Sequence, residues 1–205
     1  MNSQINDRFA GNVSRVRHLL EIYRTTSGKG RGRRAVDVSD VLRAAVVLLH
    51  AAVEDVLRSL ERRVLPRADA ALLNDVALVD HDSPSKFALG ALAAHRGKAV
   101  DVLIDESVAR HLERATYNNA RELAAVLKRL GADPADFQNY FADLEAMMKR
   151  RHNIVHRADR EETRGSGHHG FKSLSQQDVV GWANVAEEFV RRVFDKVPDL
   201  GGAAP

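Results

Sequence analysis

The chain contains no cysteine among its 205 residues. That absence excludes a disulfide framework, a thiolate metal site, a cysteine nucleophile and an iron–sulfur cluster. A long apolar run is also missing: the longest, Ala44 to Val53, is interrupted by His50 and is too short to span a bilayer. The first residues, MNSQINDRFAG, have no basic stretch followed by an apolar one, so a cytoplasmic protein without membrane contact is expected. Nor is there a large charge of either sign, since 31 lysines and arginines against 28 acids leave +3. A pI near 9.4 reflects that small margin, and a uniformly basic nucleic-acid binder is excluded. No segment alternates with period two, and no internal repeat is found.

What is present is ordinary for a globular protein, with 44% hydrophobic and 29% charged residues. A single domain of this length buries roughly 70% of its unfolded surface. Helical periodicity runs nearly throughout and predicts an all-α bundle. Ile5, Phe9, Val13, Val16, Leu20 and Tyr23 mark a first helix ended by Gly28. The segment GKGRGRR, Gly28 to Arg34, reads as a mobile basic loop. A central core helix is predicted from about Val38 to Val64, with Asp37 or Ser39 as N-cap and Pro66 ending it. Its apolar face is Leu42, Ala45, Val46, Leu49, Val53, Val56, Leu57 and Leu60.

Shorter helices are predicted at about Ala68 to Ala77, Pro84 to Ala94, Asp101 to Glu113, and Asn118 to Leu130 closed by Gly131. A longer one spans Pro134 to about Asp159, capped by Asp133. After a polar loop at Arg160 to Gly170, a last helix at about Ser175 to Lys196 opens with a capping-box pattern, Ser175 to Asp178. The expected organisation is one domain over 1–205: an N-terminal helix at 1–27, a basic loop at 28–37, a core at 38–198 and a tail at 199–205.

The chemistry concentrates in KRRHNIVHRADR, Lys149 to Arg160. On a wheel at about 100° per residue, Phe137, Tyr140, Phe141, Leu144, Met147, Met148, Ile154 and Val155 form one stripe. Arg151 falls in its middle, heptad-spaced from Phe137 and Leu144. A buried arginine without an anion partner is penalised by roughly several kcal/mol, so the position breaks a local rule. His152 and His156, four apart, flank the same stripe. Imidazoles titrate near neutrality and move protons both ways, while a guanidinium grips a phosphate bidentately. Together they suit phosphodiester chemistry that needs no metal. The competing reading is an arginine that snorkels to a salt bridge beside histidines on a wet helix.

Arg151-His152-Asn153-Ile154-Val155-His156 resembles the motif of HEPN domains: an arginine, a polar residue, and a histidine after four to six intervening positions. The string RRHNIVHRAD is similar to the RiboL-PSP-HEPN branch. So are AAVVLLHAAVEDVLRSL, Ala44 to Leu60, and ATYNNARELAAVLKRLGAD, Ala115 to Asp133. The resemblance spans about Val38 to Asp159 and leaves the first helix outside it. It implies an all-helical domain that pairs as a homodimer, with motif helices of both protomers lining one cleft. It further implies a metal-independent endoribonuclease, without cofactor, of the toxin–antitoxin or phage-defence kind, with RNA as substrate and an antitoxin or regulatory protein as further partner.

On that resemblance the catalytic set is Arg151, His156 and His152. His156 would be general acid or base, Arg151 would stabilise the phosphorane, and His152 would orient substrate or share the proton transfer. Asn153, Arg150 and Glu54 would support them, and Lys149, Arg157 and Arg160 would contact substrate. Arg150 also precedes His156 within the motif's spacing, but Arg151 lies on the stripe while Arg150 projects about 100° away. His50 and Glu54, four apart on the flank of the second helix, offer an acid to the cluster. Glu54 either pairs Arg151 or belongs to an ordinary surface His–Glu pair.

The alternative function is a non-catalytic HEPN-like module binding nucleotides, RNA or a protein. A zinc site from His152, His156, His168 and His169 is disfavoured by the arginines beside His156 and the absent HExxH glutamate. The Ser27 to Gly30 GKG is no phosphate loop, Asp80-His81-Asp82 reads as a polar turn, and Trp182, Phe189 and Val193 read as core. Between Lys149 and Arg164 six basic residues face three acids, so this segment alone carries the chain's whole net charge. In a dimer two such fields would add.

Overall fold

The computed structural model describes residues 2–27, 36–81, 89–160 and 171–197. The Gly28 to Arg34 loop, Gly28 as a helix stop, the segment from Glu161 to Gly170 and the tail beyond Val197 therefore lie outside the described residues. Among those described, α-helices and short 3-10 turns carry the fold: α1 (Asn2–Thr26), α2 (Val36–Val64), α3 (Ala70–Leu73), α4 (Val100–Arg114), α5 (Ala120–Arg129), α6 (Gln138–Arg157) and α7 (Gln176–Lys196). No helix is long and apolar enough to cross a membrane among the described residues.

The core is built from α1, α2, α6 and α7, with α5 closing one side. All six apolar residues that mark α1 are buried, and so is the whole predicted face of α2. At about 25 cal/mol per Å² of apolar surface, such stripes supply most of the drive to pack. Polar ties reinforce the same contacts: Arg8 Nε donates to Asp55 at 2.7 Å, and Arg17 binds Glu187 and, at 3.1 Å, Asn184. Leu65, Val108 and Leu112 form a smaller cluster where α4 meets the end of α2.

Several boundaries differ from the sequence expectation, each for a local reason. α2 starts at Val36, which puts Asp37 and Ser39 inside its first turn, where neither precedes the helix as an N-cap must. The segment after Pro66 is helical only over Ala70–Leu73, because Asp69 caps it and its four residues bury no side chain to extend it. The next segment is a 3-10 turn at Leu89–His95, with 82–88 outside the described residues. Pro134–Phe137 is also 3-10, capped by Asp133, and α6 proper begins at Gln138.

Two predicted ends hold. At α5, Gly131 takes φ +81°, the Ala132 N–H reaches the Leu127 carbonyl at 2.9 Å, and the Gly131 N–H reaches Lys128 at 3.0 Å. That is a Schellman closure, which needs the left-handed glycine. At α7, Ser175 and Asp178 satisfy each other's backbone in a complete capping box. Phe189 and Val193 are core, and Trp182 packs against it half-buried. Asp80 takes φ +71° beside His81, as a tight polar turn requires.

Candidate active site

The second half of α6 turns its polar residues into four different environments. Lys149 is exposed and pairs with Glu145 at 2.9 Å. Arg150 is nearly covered: its Nη2 donates to Asp159 at 2.7 Å and to the Lys172 carbonyl at 2.7 Å, and its Nη1 donates to the Ser173 carbonyl at 2.9 Å. Arg151 is half-buried with no hydrogen-bond or ion-pair partner among the described residues, and its Nε is wholly covered. His152 and His156 are exposed one turn apart, ring centroids 4.8 Å from each other. Arg151 and the two imidazoles thus share one stretch of helix, while Arg150 is committed elsewhere.

The stripe prediction needs one correction here. Ile154 packs against the core, but Val155 is 49% exposed at the level of the histidines. The apolar stripe ends there because α6 stops two residues later, at Arg157, and Val155 is left half-exposed among the described residues. Asn153 is half-buried and its carbonyl accepts the Ala158 and Asp159 N–H groups that terminate α6. Arg157 and Arg160 are exposed at that end, and Arg160 forms an isolated antiparallel bridge with Phe171.

What fixes this end is a feature the sequence reading did not single out. Ala158 and Asp159 both adopt left-handed backbone, φ 48° and 53°, a conformation costing roughly 1 kcal/mol or more per non-glycine residue. Asp159 holds it because its fully buried carboxylate accepts from Arg43 Nε at 2.8 Å as well as from Arg150. Its backbone carbonyl accepts the Lys172 N–H at 2.9 Å, which ties Lys172 to the end of α6. Arg43 in turn lies over the Phe171 ring, 5.1 Å from its centroid.

Arg43 belongs to a polar seam on α2. Arg43, His50, Glu54 and Glu61 are spaced 7, 4 and 7 residues apart, and at about 100° per residue they fall within a narrow band of one face. That spacing is the signal that could have disclosed them. Arg43, His50 and Glu61 are buried. His50 is therefore a core residue and not a flank one. Its Nε2 meets the Tyr117 carbonyl at 3.1 Å, while its Nδ1 has no hydrogen-bond partner and lies 3.6 Å from Glu54 Oε2. Burial lowers the pKa of His50, opposed by the Tyr117 bond and Glu54 and assisted by the nearby charge of Arg151.

Glu54 is not the ion-pair partner of Arg151. Its Oε1 is taken by Arg58 Nη2 at 2.7 Å, because Arg58 stands one turn further along the same helix and is anchored on the Ala115 carbonyl and the Tyr117 ring. At the far end of the seam Glu61 accepts from Tyr117 Oη at 2.8 Å and Arg129 Nε at 2.6 Å. No group of three or more His, Asp or Glu suited to a metal occurs among the described residues, and His168 and His169 lie outside them.

Comparison with known proteins agrees with this helical architecture. Neither a curated protein nor a solved structure matches the chain. A family model does, from the third turn of α1 to just beyond α7, so the similarity takes in most of the first helix as well as the motif segments. The model is that of RiboL-PSP-HEPN over residues 10–199, and the chain belongs to this family.

Proposed function

We propose that the protein is a metal-independent endoribonuclease that cleaves RNA by attack of the ribose 2′-hydroxyl on the adjacent phosphodiester. Family membership supports a nuclease or RNA-binding module in general. The observation that carries the finer reading is Arg151: a half-buried cation with no acceptor among the described residues, next to an exposed histidine pair. An interior guanidinium left without a carboxylate is costly unless an anion arrives, and a phosphodiester is the anion its planar fork fits.

In the reaction, one imidazole removes the 2′-hydroxyl proton while the 2′-oxygen bonds to phosphorus. The 5′-oxygen then departs, taking a proton from the other imidazole. His156 and His152 divide these tasks, and such transfer contributes about 10² to 10⁴ in rate. Arg151 stabilises the extra charge on the pentacoordinate phosphorus. Lys149, Arg157 and Arg160 hold flanking phosphates, with Asn153 and Glu54 supporting. The exposed Val155 beside the histidines fits coverage by a second copy, so that two α6 helices line one cleft. A cytoplasmic growth-arresting effector, held in check by an antitoxin or regulatory protein, is the cellular role that goes with this chemistry.

Incubation of the purified protein with RNA in EDTA tests the reading. Products ending in 2′,3′-cyclic phosphate and 5′-hydroxyl are expected, with His156→Ala and Arg151→Ala inactive. Cleavage equal in both variants, or RNA binding without cleavage, overturns it and leaves a binding module.

A further inference from the structure

The polar seam on α2 brings one unpaired acceptor into the interior, and α6 brings one unpaired donor. His50 is buried, and the Tyr117 carbonyl at 3.1 Å can only accept, so Nε2 carries the proton and Nδ1 presents a lone pair. That lone pair has no hydrogen-bond partner, and another acceptor, Glu54 Oε2, lies 3.6 Å from it. A buried acceptor facing a half-buried one is a mismatch unless a donor enters between them. Arg151 Nε is a buried N–H with nothing to donate to.

The register of the two helices brings these groups to the same level. Arg43 near the start of α2 bonds Asp159 just beyond α6, so the start of α2 lies against the end of α6. His50 follows Arg43 by seven residues, two turns or about 10 Å along the same face. Arg151 precedes Asp159 by eight, a similar distance back along α6. The charge of Arg151 is felt at His50, alongside Glu54 on the same helix as the imidazole, while Arg58 is occupied with the other Glu54 oxygen.

We propose that His50 is the positioning residue for Arg151: when a phosphodiester engages the guanidinium, Arg151 Nε–H donates to His50 Nδ1, which fixes the plane of the fork toward the scissile phosphate. The inference rests on the ribonuclease reading for its substrate, not for the hydrogen bond itself. His50 touches neither RNA nor the reacting atoms. Its part is to hold the group that does, and a misplacement of about 1 Å in such a group costs on the order of 10²-fold in rate.

Two substitutions separate positioning from folding. In His50→Gln the longer amide still reaches the Tyr117 carbonyl but offers nothing at Nδ1, whereas His50→Asn keeps an acceptor near Nδ1 and gives up that carbonyl. The expected result in RNA cleavage is a fall in kcat of about tenfold to a hundredfold for His50→Gln with KM little changed. His50→Asn should retain most of kcat despite a lower melting temperature. Adding His50→Gln to Arg151→Lys, which keeps a cation and some activity but has no Nε–H, should cost nothing further. Wild-type kcat in His50→Gln, or additive losses in the double variant, overturns the proposal.

A second readout does not depend on cleavage. With arginine labelled by ¹⁵N, a 2′-deoxy oligonucleotide that this route cannot cleave should slow exchange of one Nε–H signal, identified by its absence in Arg151→Lys. His50→Gln should abolish that slowing. If wild-type protein fails to cleave RNA, the ribonuclease reading falls while this signal still decides the hydrogen bond; equal protection in His50→Gln and wild type, or none in either, refutes it.

Discussion

Arg150 and Arg151 are adjacent in sequence and opposite in circumstance. Arg150 makes three hydrogen bonds, to the Asp159 carboxylate and to two carbonyls, whereas Arg151 makes none among the described residues. The difference follows from helix geometry, since a step of about 100° carries one guanidinium to the Asp159 clamp and turns the next away from it. One arginine holds the end of α6 in place, and the other has no acceptor among the described residues.

The two arginines should therefore respond oppositely to removal. Arg150→Ala deprives the buried Asp159 of one of its two cations and should destabilise the protein by about 1–3 kcal/mol. Arg151→Met keeps the side-chain stem and deletes a cation that nothing neutralises, so stability should stay within about 1 kcal/mol of wild type or rise. RNA cleavage should vanish in Arg151→Met. Urea unfolding together with a cleavage assay reads both; an Arg151→Met midpoint lowered as far as that of Arg150→Ala contradicts the assignment.

The sequence disclosed the bundle because its information is local and repeated. The stripes of α1, α2 and α7, the Gly131 stop and the Ser175 capping box each need only a few neighbouring residues to be recognised. It disclosed the motif as a cluster on one helix for the same reason. What it did not disclose depends on pairing across the chain. Arg43 and Asp159 are 116 positions apart, and Glu54 has Arg58 at the favoured spacing on its own helix, so the choice of Arg58 over Arg151 is settled only when α2 and α6 are docked. Val155 failed as a stripe residue because periodicity cannot tell an apolar face that meets a neighbouring helix from one left half-exposed among the described residues.

Glu61, Tyr117 and Arg129 form a buried anchor that ties α2 to the segment before α5 and to α5 itself. Burial, with the Glu61 carboxylate beside it, raises the pKa of Tyr117 far above that of a free tyrosine. Tyr117→Phe leaves Glu61 Oε2 buried without its donor and should cost about 1–3 kcal/mol at neutral pH. The folded protein keeps the Tyr117 proton at pH values where the unfolded chain, with a tyrosine pKa near 10, releases it. The contribution of this hydroxyl is therefore complete below about pH 10 and is lost as pH rises beyond it. The gap between the urea midpoints of wild type and Tyr117→Phe should be narrower at pH 10.5 than at pH 7.5; a constant gap refutes the assignment.

On the acid side the controlling groups are His50 and His111. Burial is the largest cause lowering both pKa values, joined by the charge of Arg151 at His50 and of Arg129 at His111; Glu54 and the Tyr117 carbonyl oppose it at the first, Glu61 and Asp75 at the second. An imidazole with a lowered folded-state pKa binds its proton more readily in the unfolded chain, where histidine titrates near 6.5. Its contribution is thus intact above about pH 6.5 and declines as pH falls from there through the folded-state value. Each site steepens the loss by at most about 1.4 kcal/mol per pH unit. The carboxylates of Glu21 and Asp136, lowered chiefly by hydrogen bonds to Arg24 and Lys196, act in the same direction but only in the more acidic carboxylate range. Between pH 7.5 and 5.5 wild-type stability should therefore fall, His50→Gln and His111→Gln should each fall less steeply, and the double variant should be the flattest. Urea unfolding across that window measures the slopes, and parallel slopes in all four proteins would show that neither imidazole resists protonation.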